Sequence, residues 1–191
     1  MLAMKIAVGV LGLLVTLAMA GAARQPDPAA LPPGLPPSAG VYLLADSAKW
    51  IKLTPAPVET SQIKNKDVFL ETAGQLALNM TFTYSGGQAL FRTADPRPTF
   101  CVRGVGSAAD ALIVRLSRQK DRRTVRATST DAGVGNKAGF RRQEIRPVAA
   151  VPISEGLFSV KPEAALDRGE YILVFGSALT AYDFGIGPAR K

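Results

Sequence analysis

Apolar residues in this chain recur at every second position in short runs, and Gly, Pro, Asp, Asn or Ser break the runs every few residues. Period two over four to eight residues marks a half-buried β-strand, because successive side chains leave opposite faces. Residues 41–44 and 50–53 flank Ala45-Asp46-Ser47-Ala48-Lys49 and predict a hairpin, which Pro55-Ala56-Pro57 ends. Further strands are predicted at 67–71 and 76–84, closed by a Ser85-Gly86-Gly87 turn, and at 89–93 and 99–103 around the Asp95-Pro96-Arg97-Pro98 break. Residues 108–112 predict one helical turn. Beyond the N-terminal apolar stretch, no segment sustains the 3.6-residue period of an amphipathic helix.

The most regular alternation follows. Leu112, Val114 and Leu116 alternate with Ile113, Arg115 and Ser117; after a turn at 118–121, Arg123, Val125 and Ala127 alternate with Arg122, Thr124, Arg126 and Thr128. Pairing the two runs sets Val114 opposite Val125 and Leu112 opposite Ala127, with Arg118 facing Asp121 at the tip. One face is then apolar and the other cationic, with Arg115 and Arg126 sharing the solvent side. Residues 130–139 read as a Gly-containing loop, and 141–148 as another strand with Arg142 and Arg146 on one face and Arg141 on the other.

Near the C-terminus, Leu166-Asp167-Arg168-Gly169-Glu170-Tyr171 has the L-x-x-G-x-Y spacing of a tyrosine corner, in which a Tyr hydroxyl at the start of a strand reaches back to upstream backbone. Residues 171–175 form a nearly all-apolar strand, and Tyr182-Asp183-Phe184-Gly185 closes the domain. The fold class expected is all-β: an Ig-like, Greek-key β-sandwich with a tyrosine-corner-like turn, preceded by a signal peptide and a Pro-rich linker.

The N-terminus sets the expected compartment. Lys5, an apolar run at 6–17 and the small-x-small triplet Ala18-Met19-Ala20 make a cleavable signal peptide over 1–20. The uncharged run reaches Ala23, short for a membrane span of about 20 residues, so an uncleaved anchor is the weaker alternative. A linker spans 21–40 and holds six prolines between Pro26 and Pro37; fixed φ and missing amide donors predict an extended segment. A single β-rich domain covers 41–188, divisible into an N-terminal part at 41–95 and a sandwich at 96–188.

One cysteine, Cys101, precludes an intrachain disulfide, and export without disulfides suits a bacterial periplasm or secretion from a bacterium. With no histidine in the chain, Ser-His-Asp and Cys-His catalysis and His-ligated zinc are excluded. No cofactor and no metal ligand set is expected.

Charge then changes the picture. Residues 115–146 hold ten bases against three acids (Asp121, Asp131 and Glu144), so this segment carries +7 of the chain's net +8. A field this localised suits contact with an anion. The candidate anion- or partner-binding residues are Arg115, Arg122, Arg126, Arg142 and Arg146, acting as bidentate donors. Phe140 is the only aromatic in the segment, too few for base stacking. Export and that scarcity disfavour nucleic acid, and the partner expected is an anionic envelope polymer, lipid head groups or an acidic protein.

Other motifs carry less. Asp183-Phe184-Gly185 spells a kinase triad without the H-R-D loop a kinase needs. Two S-x-x-K matches, at Ser61 and Ser117, lack their companion motifs. Residues 133–139 fit no phosphate-loop pattern, and Cys101 has no accompanying base. Glu155, Glu163, Asp167, Glu170 and Asp183 are candidates for paired-carboxylate chemistry, but their spacing names no pair.

Gly169-Glu170-Tyr171 followed by Tyr182-Asp183-Phe184-Gly185, with the Arg118-Gln119-Lys120-Asp121-Arg122-Arg123 hairpin, resembles exported bacterial proteins of uncharacterised function that end in GEY…YDFG. The resemblance spans about the last half of the chain. It implies compartment and fold, and assigns no catalytic residue. The function expected is a non-enzymatic envelope module whose basic hairpin contacts an anionic partner. The rivals are a carboxylate-dependent hydrolase of envelope glycans and a structural subunit of a secretion or surface assembly.

Overall fold

The computed structural model describes residues 31–45, 48–62, 79–128, 139–176 and 180–188. The expected signal peptide, the strand at 67–71 and nearly all of the 130–139 loop lie outside the described residues.

Two sheets account for the strands. The first joins β1 (Gly40–Leu44), β2 (Trp50–Leu53), β6 (Phe100–Arg103), β10 (Val148–Ser154) and β11 (Leu157–Pro162) in the order β10-β11-β6-β1-β2, all antiparallel. The second joins β3 (Val58–Gln62), β4 (Asn79–Ser85), β5 (Arg92–Thr93), β7 (Ala111–Arg118), β8 (Arg122–Thr128), β12 (Gly169–Phe175) and β13 (Ala181–Ile186) in the order β3-β4-β8-β7-β12-β13-β5. The short β9 (Ile145–Arg146) pairs beside β7. Strands from 41–95 and from 96–188 share both sheets, so neither part builds a sheet of its own. The helical turn predicted at 108–112 is a 3-10 turn over Ala108–Asp110.

β12 organises the core because it is apolar on both faces. Tyr171 and Leu173 point toward the first sheet and pack with Phe100, Val102, Phe158 and Val160. Ile172 and Val174 point the other way and meet Phe82, Tyr84, Val125 and Phe140. The second sheet therefore curls, bringing β4 and β8 over the far face of its own centre. Tyr171 to Val174 are each 0% exposed, and burying each such side chain contributes roughly 1.5–3 kcal/mol.

A third, smaller cluster of Tyr42, Cys101 and Leu157 lies on the outer face of the first sheet. Part of the proline-rich stretch covers it. The Leu35 amide closes a turn on the Pro32 carbonyl at 3.1 Å, Leu35 packs on the cluster, and Trp50 Nε1 donates to the Pro33 carbonyl at 3.2 Å. This portion turns onto the domain where the sequence predicts a simple extended linker.

Two other expectations need correction. The β7–β8 hairpin pairs Ser117 with Thr124 and Arg118 with Arg123, and the Gln119 amide donates to the Arg122 carbonyl at 2.8 Å. Lys120-Asp121 is therefore the tip, one residue beyond the predicted centre and a register shift of two. Such a shift keeps every side chain on its face. The predicted pairs Val114–Val125 and Leu112–Ala127 do not form, because β7 continues onto β12 and β9 while β8 turns to pair with β4. The strand predicted at 141–148 is instead a turn, with the Glu144 amide on the Arg141 carbonyl at 2.9 Å, followed by the two-residue β9. Pro147 has no amide to continue the ladder, and the chain crosses to the first sheet. There β10 and β11 form a hairpin absent from the sequence reading, turning at Gly156 with φ 65°.

Candidate functional site

Glu170 and Asp183 are the two candidate acids that the fold brings together. In the β12–β13 register, Glu170 faces Gly185 and Ile172 faces Asp183, so the two carboxylates are diagonal neighbours on one face. Arg123 reaches that face from β8. Its Nη1 lies 2.5 Å from Asp183 Oδ2 and 4.0 Å from Glu170 Oε2. Its Nε and Nη2 donate to the Gly86 and Ser85 carbonyls at 3.0 and 2.8 Å. Glu170 Oε2 also accepts from the Ala89 amide at 2.7 Å, and Oε1 accepts from Arg92 Nη1 at 2.5 Å. Arg92 in turn donates to the carbonyls of Ile186, at 3.1 Å, Gly187, at 3.3 Å, and Pro188, at 3.1 Å.

Two guanidiniums and two carboxylates thus form a charge-balanced buried network. It ties the Ser85–Ala89 turn and the C-terminal 186–188 segment to the centre of the second sheet. Gly185 is part of it, since a Cβ there would collide with the Arg92 guanidinium. Beside the network, Tyr84 is fully buried, and its hydroxyl pKa is pushed far up by burial and then by the Asp183 charge, against an opposing pull from Arg123.

Where the network approaches solvent, an open cleft of about 740 Å³ runs between the C-terminal end of β7, the start of β12, the 186–188 segment and Gln143-Glu144. Arg92 and Glu170, paired to each other, form part of its wall. Arg115, Arg118 and Arg168 bring three further guanidiniums. Arg118 and Arg168 are exposed, and Arg115 Nη1 contacts only the rim carboxylate of Asp167, at 3.3 Å, among the ion pairs of the described residues. Four arginines against Glu144 and Glu170 leave the lining at +2. Tyr171 stands behind Arg115 on the neighbouring strand. Its hydroxyl donates to the Asp167 carbonyl at 2.9 Å, the back-reach the L-x-x-G-x-Y spacing predicts, and burial pushes its pKa up.

Of the five predicted contact residues, Arg115 alone lines the cleft. Arg122 is exposed at the hairpin tip, with Nε on Gln119 Oε1 at 2.6 Å. Arg126 is exposed on β8 opposite Thr81. Arg142 is exposed in the turn next to the cleft residue Gln143, and Arg146 Nη1 donates to the Gln143 carbonyl at 2.7 Å. Arg115 and Arg146 both neighbour the Tyr171 hydroxyl, while Arg122 and Arg126 are placed on β8. Arg118, Arg168 and Arg92 are the cleft arginines that sequence reasoning missed.

Cys101 is buried, and burial pushes its thiol pKa up despite the nearby Arg103. Among the described residues, no group of three or more His, Cys, Asp or Glu side chains is placed to hold a metal ion.

These features define a β-rich protein with a buried arginine–carboxylate network at its centre and an arginine-lined cleft at its edge. No protein-family model, curated protein or solved structure matches the chain.

Proposed function

We propose that this chain is an exported, non-enzymatic protein of the bacterial envelope, an Ig-like Greek-key sandwich that binds an anionic envelope polymer through the arginines of its cleft and their basic rim. One observation carries this reading: Arg115 and Arg118, from the basic run, meet Arg168, from a distant part of the sequence, at one cleft. Of the nine described bases between 115 and 146, only Arg123 is buried. The positive n-region, apolar run and Ala18-Met19-Ala20 triplet support export. Among the described residues, no helix is long and apolar enough to cross a membrane. The hydrolase alternative has less support, since Glu170 and Asp183 are each bonded to a guanidinium and Asp183 does not line the cleft.

The test is retention of the chain on polyanion beads across a salt series. Retention should fall steeply as the screening length shrinks from about 10 Å at 0.1 M to about 3 Å at 1 M, and Arg118→Glu with Arg168→Glu should weaken it. Retention indifferent to salt and to the reversals would reject the reading. Stronger capture by anionic vesicles or an acidic protein column would move the partner to those classes.

One feature favours a second reading as a subunit of a surface assembly. Edge strand β10 carries no charged residue, and its Val151 is 56% exposed. Uncharged edges are open to pairing with other chains, and here Pro152 and the register shift between Pro152 and Ser154 blunt only the C-terminal part of the strand. A concentration-independent monomer on sizing would exclude self-pairing there.

A further inference from the structure

We propose that the cleft between β7 and β12 is a binding site for a phosphorylated sugar unit, with Arg115, Arg118 and Arg168 holding the phosphate. This inference rests on the polymer-binding reading and names the chemistry the polymer must present.

Size comes first. About 740 Å³ lies within the roughly 300–1,000 Å³ typical of small-ligand sites, and it is a concavity rather than a flat basic face. Charge is next. Arg92 and Glu170 neutralise each other across 2.5 Å, so Arg115, Arg118 and Arg168 stand against Glu144 and the rim carboxylate of Asp167, which leaves +1, rising to +2 when a ligand displaces Asp167 from Arg115. A phosphate monoester carries about −1.5 to −2 near neutral pH and matches the +2 reached on displacing that exposed carboxylate, whereas a sugar carboxylate matches only the resting +1.

Geometry points the same way. Arg115 and Arg118 come from β7, while Arg168 comes from the turn before β12. Arg115 stands opposite Tyr171 and Arg118 opposite Arg123, so the two leave β7 on opposite faces and reach the cleft around the end of the sheet. Donors arriving from both faces suit an oxyanion with several acceptor oxygens. The Arg115–Asp167 pair at the rim is no obstacle: the Asp167 side chain is 78% exposed, and exposed pairs are weak.

The remaining lining selects the rest of the ligand. Gln88, Ser117 and Gln143 offer amide and hydroxyl groups to sugar hydroxyls. Among the described residues no aromatic side chain lines the cleft, so the arginines offer the anchor and the phosphate takes it.

The experiment is calorimetric titration of the intact chain with glucose 6-phosphate, inorganic phosphate, glucuronate and glucose. Glucose 6-phosphate should bind saturably at one site, at least tenfold tighter than glucuronate, and glucose should show no heat. Inorganic phosphate binding as tightly as glucose 6-phosphate would overturn the sugar assignment. Arg118→Gln and Arg168→Gln, both exposed positions, should each weaken glucose 6-phosphate about tenfold, or about 1.4 kcal/mol. Asp167→Asn should tighten it by releasing Arg115. Glu155→Gln, in the distant β10–β11 turn, makes the same charge change and should leave it unchanged. An equal gain from Glu155→Gln would show a diffuse field and overturn the site.

A phosphorylated glycopolymer and its dephosphorylated form separate the sources of the sugar phosphate. Loss of bead retention on dephosphorylation supports a polymer-borne unit; binding of the monomer alone overturns that source. Salt-dependent retention without any saturable monomer binding rejects this inference and leaves the surface reading standing. Absence of both rejects both.

Discussion

Replacing Arg123 by Met should destabilise the domain more than any other arginine substitution on β8, because Arg123 alternates in phase with Val125 and Ala127 while Arg122 and Arg126 face the other way. Its side chain is 4% exposed and bridges Asp183 at 2.5 Å, while Nε and Nη2 satisfy the Gly86 and Ser85 carbonyls. Met keeps the aliphatic stem and leaves a buried carboxylate and two carbonyls without these donors. Removing one partner of a buried ion pair costs about 3–5 kcal/mol, a large share of the roughly 5–15 kcal/mol that holds a domain folded. At about 2–4 °C per kcal/mol for a chain of this size, Tm should fall by about 6–20 °C. Arg126→Met, exposed on the same strand, should stay within about 0.5 kcal/mol. The assay is urea unfolding followed by Trp50 fluorescence and far-UV circular dichroism, whose coincidence licenses a two-state free energy. The double variant Arg123→Met/Asp183→Leu should recover part of the loss, because the orphaned charge leaves with its partner. A loss below about 1 kcal/mol for Arg123→Met, or no recovery in the double variant, would refute the network as a determinant of the fold.

Three further outcomes follow from the same coordinates. Gly185→Ala should cost about 1–3 kcal/mol, as overpacking does, since its Cβ meets the Arg92 guanidinium; in an Arg92→Ala background the same change should cost clearly less by urea unfolding. Stability should fall in alkali. The Tyr84 hydroxyl pKa is raised in the folded state, so its contribution is complete below the unfolded value near 10 and is lost as pH rises above that value. Tyr84 adds a slope of about 1.4 kcal/mol per pH unit, and Tyr84→Phe should lessen the fall of urea midpoints between about pH 9 and 11.5, with Tyr171 and Tyr182, whose pKa values burial also raises, keeping their share. Cys101, fully buried with its thiol pKa raised, should resist alkylation at pH 8 and react promptly in urea; rapid labelling of the native chain would place the thiol elsewhere.

What the sequence makes legible is local. The hairpin of β1 and β2 was readable because two alternating runs flank a short polar turn, and the buried course of β12 was readable because Tyr171 to Val174 leave no polar face. The back-reach of Tyr171 was readable because it spans only four residues. Pairings that depend on distant partners were not. β5 lies at the end of the run predicted as a strand at 89–93, but nothing local says that it shortens to Arg92–Thr93 or pairs in parallel with β13. β10 runs Val-Ala-Ala-Val-Pro-Ile-Ser, which lacks strict alternation, and its Pro152 is tolerated because β10 is an edge.

The charge count shows the same division. Ten bases between 115 and 146 describe a field, but the field is not a site. Arg123 stands in phase with Val125 and Ala127, so the alternation itself turns it inward, yet its partner Asp183 lies sixty residues on. Arg168 lies outside the basic run altogether and enters the cleft only because β12 lies beside β7.

The segments Gly169-Glu170-Tyr171 and Tyr182-Asp183-Phe184-Gly185 gain a physical meaning from this arrangement. Glu170 and Asp183 receive the Arg92 and Arg123 guanidiniums. Gly185 leaves room for Arg92. Tyr171 closes its corner, and its ring stacks on Phe184 at 5.6 Å between centroids. Each of these residues is engaged by the fold; Gly169 and Glu170 also line the cleft, Gly169 with no side chain and Glu170 with its carboxylate already bonded. Residues fully engaged by the architecture hold the scaffold together and have no polar group left over for a ligand. On the proposed function, recognition resides in the side chains the scaffold leaves unspent, and among the described arginines of the cleft those are Arg118 and Arg168, with Arg115 held only by an exposed carboxylate.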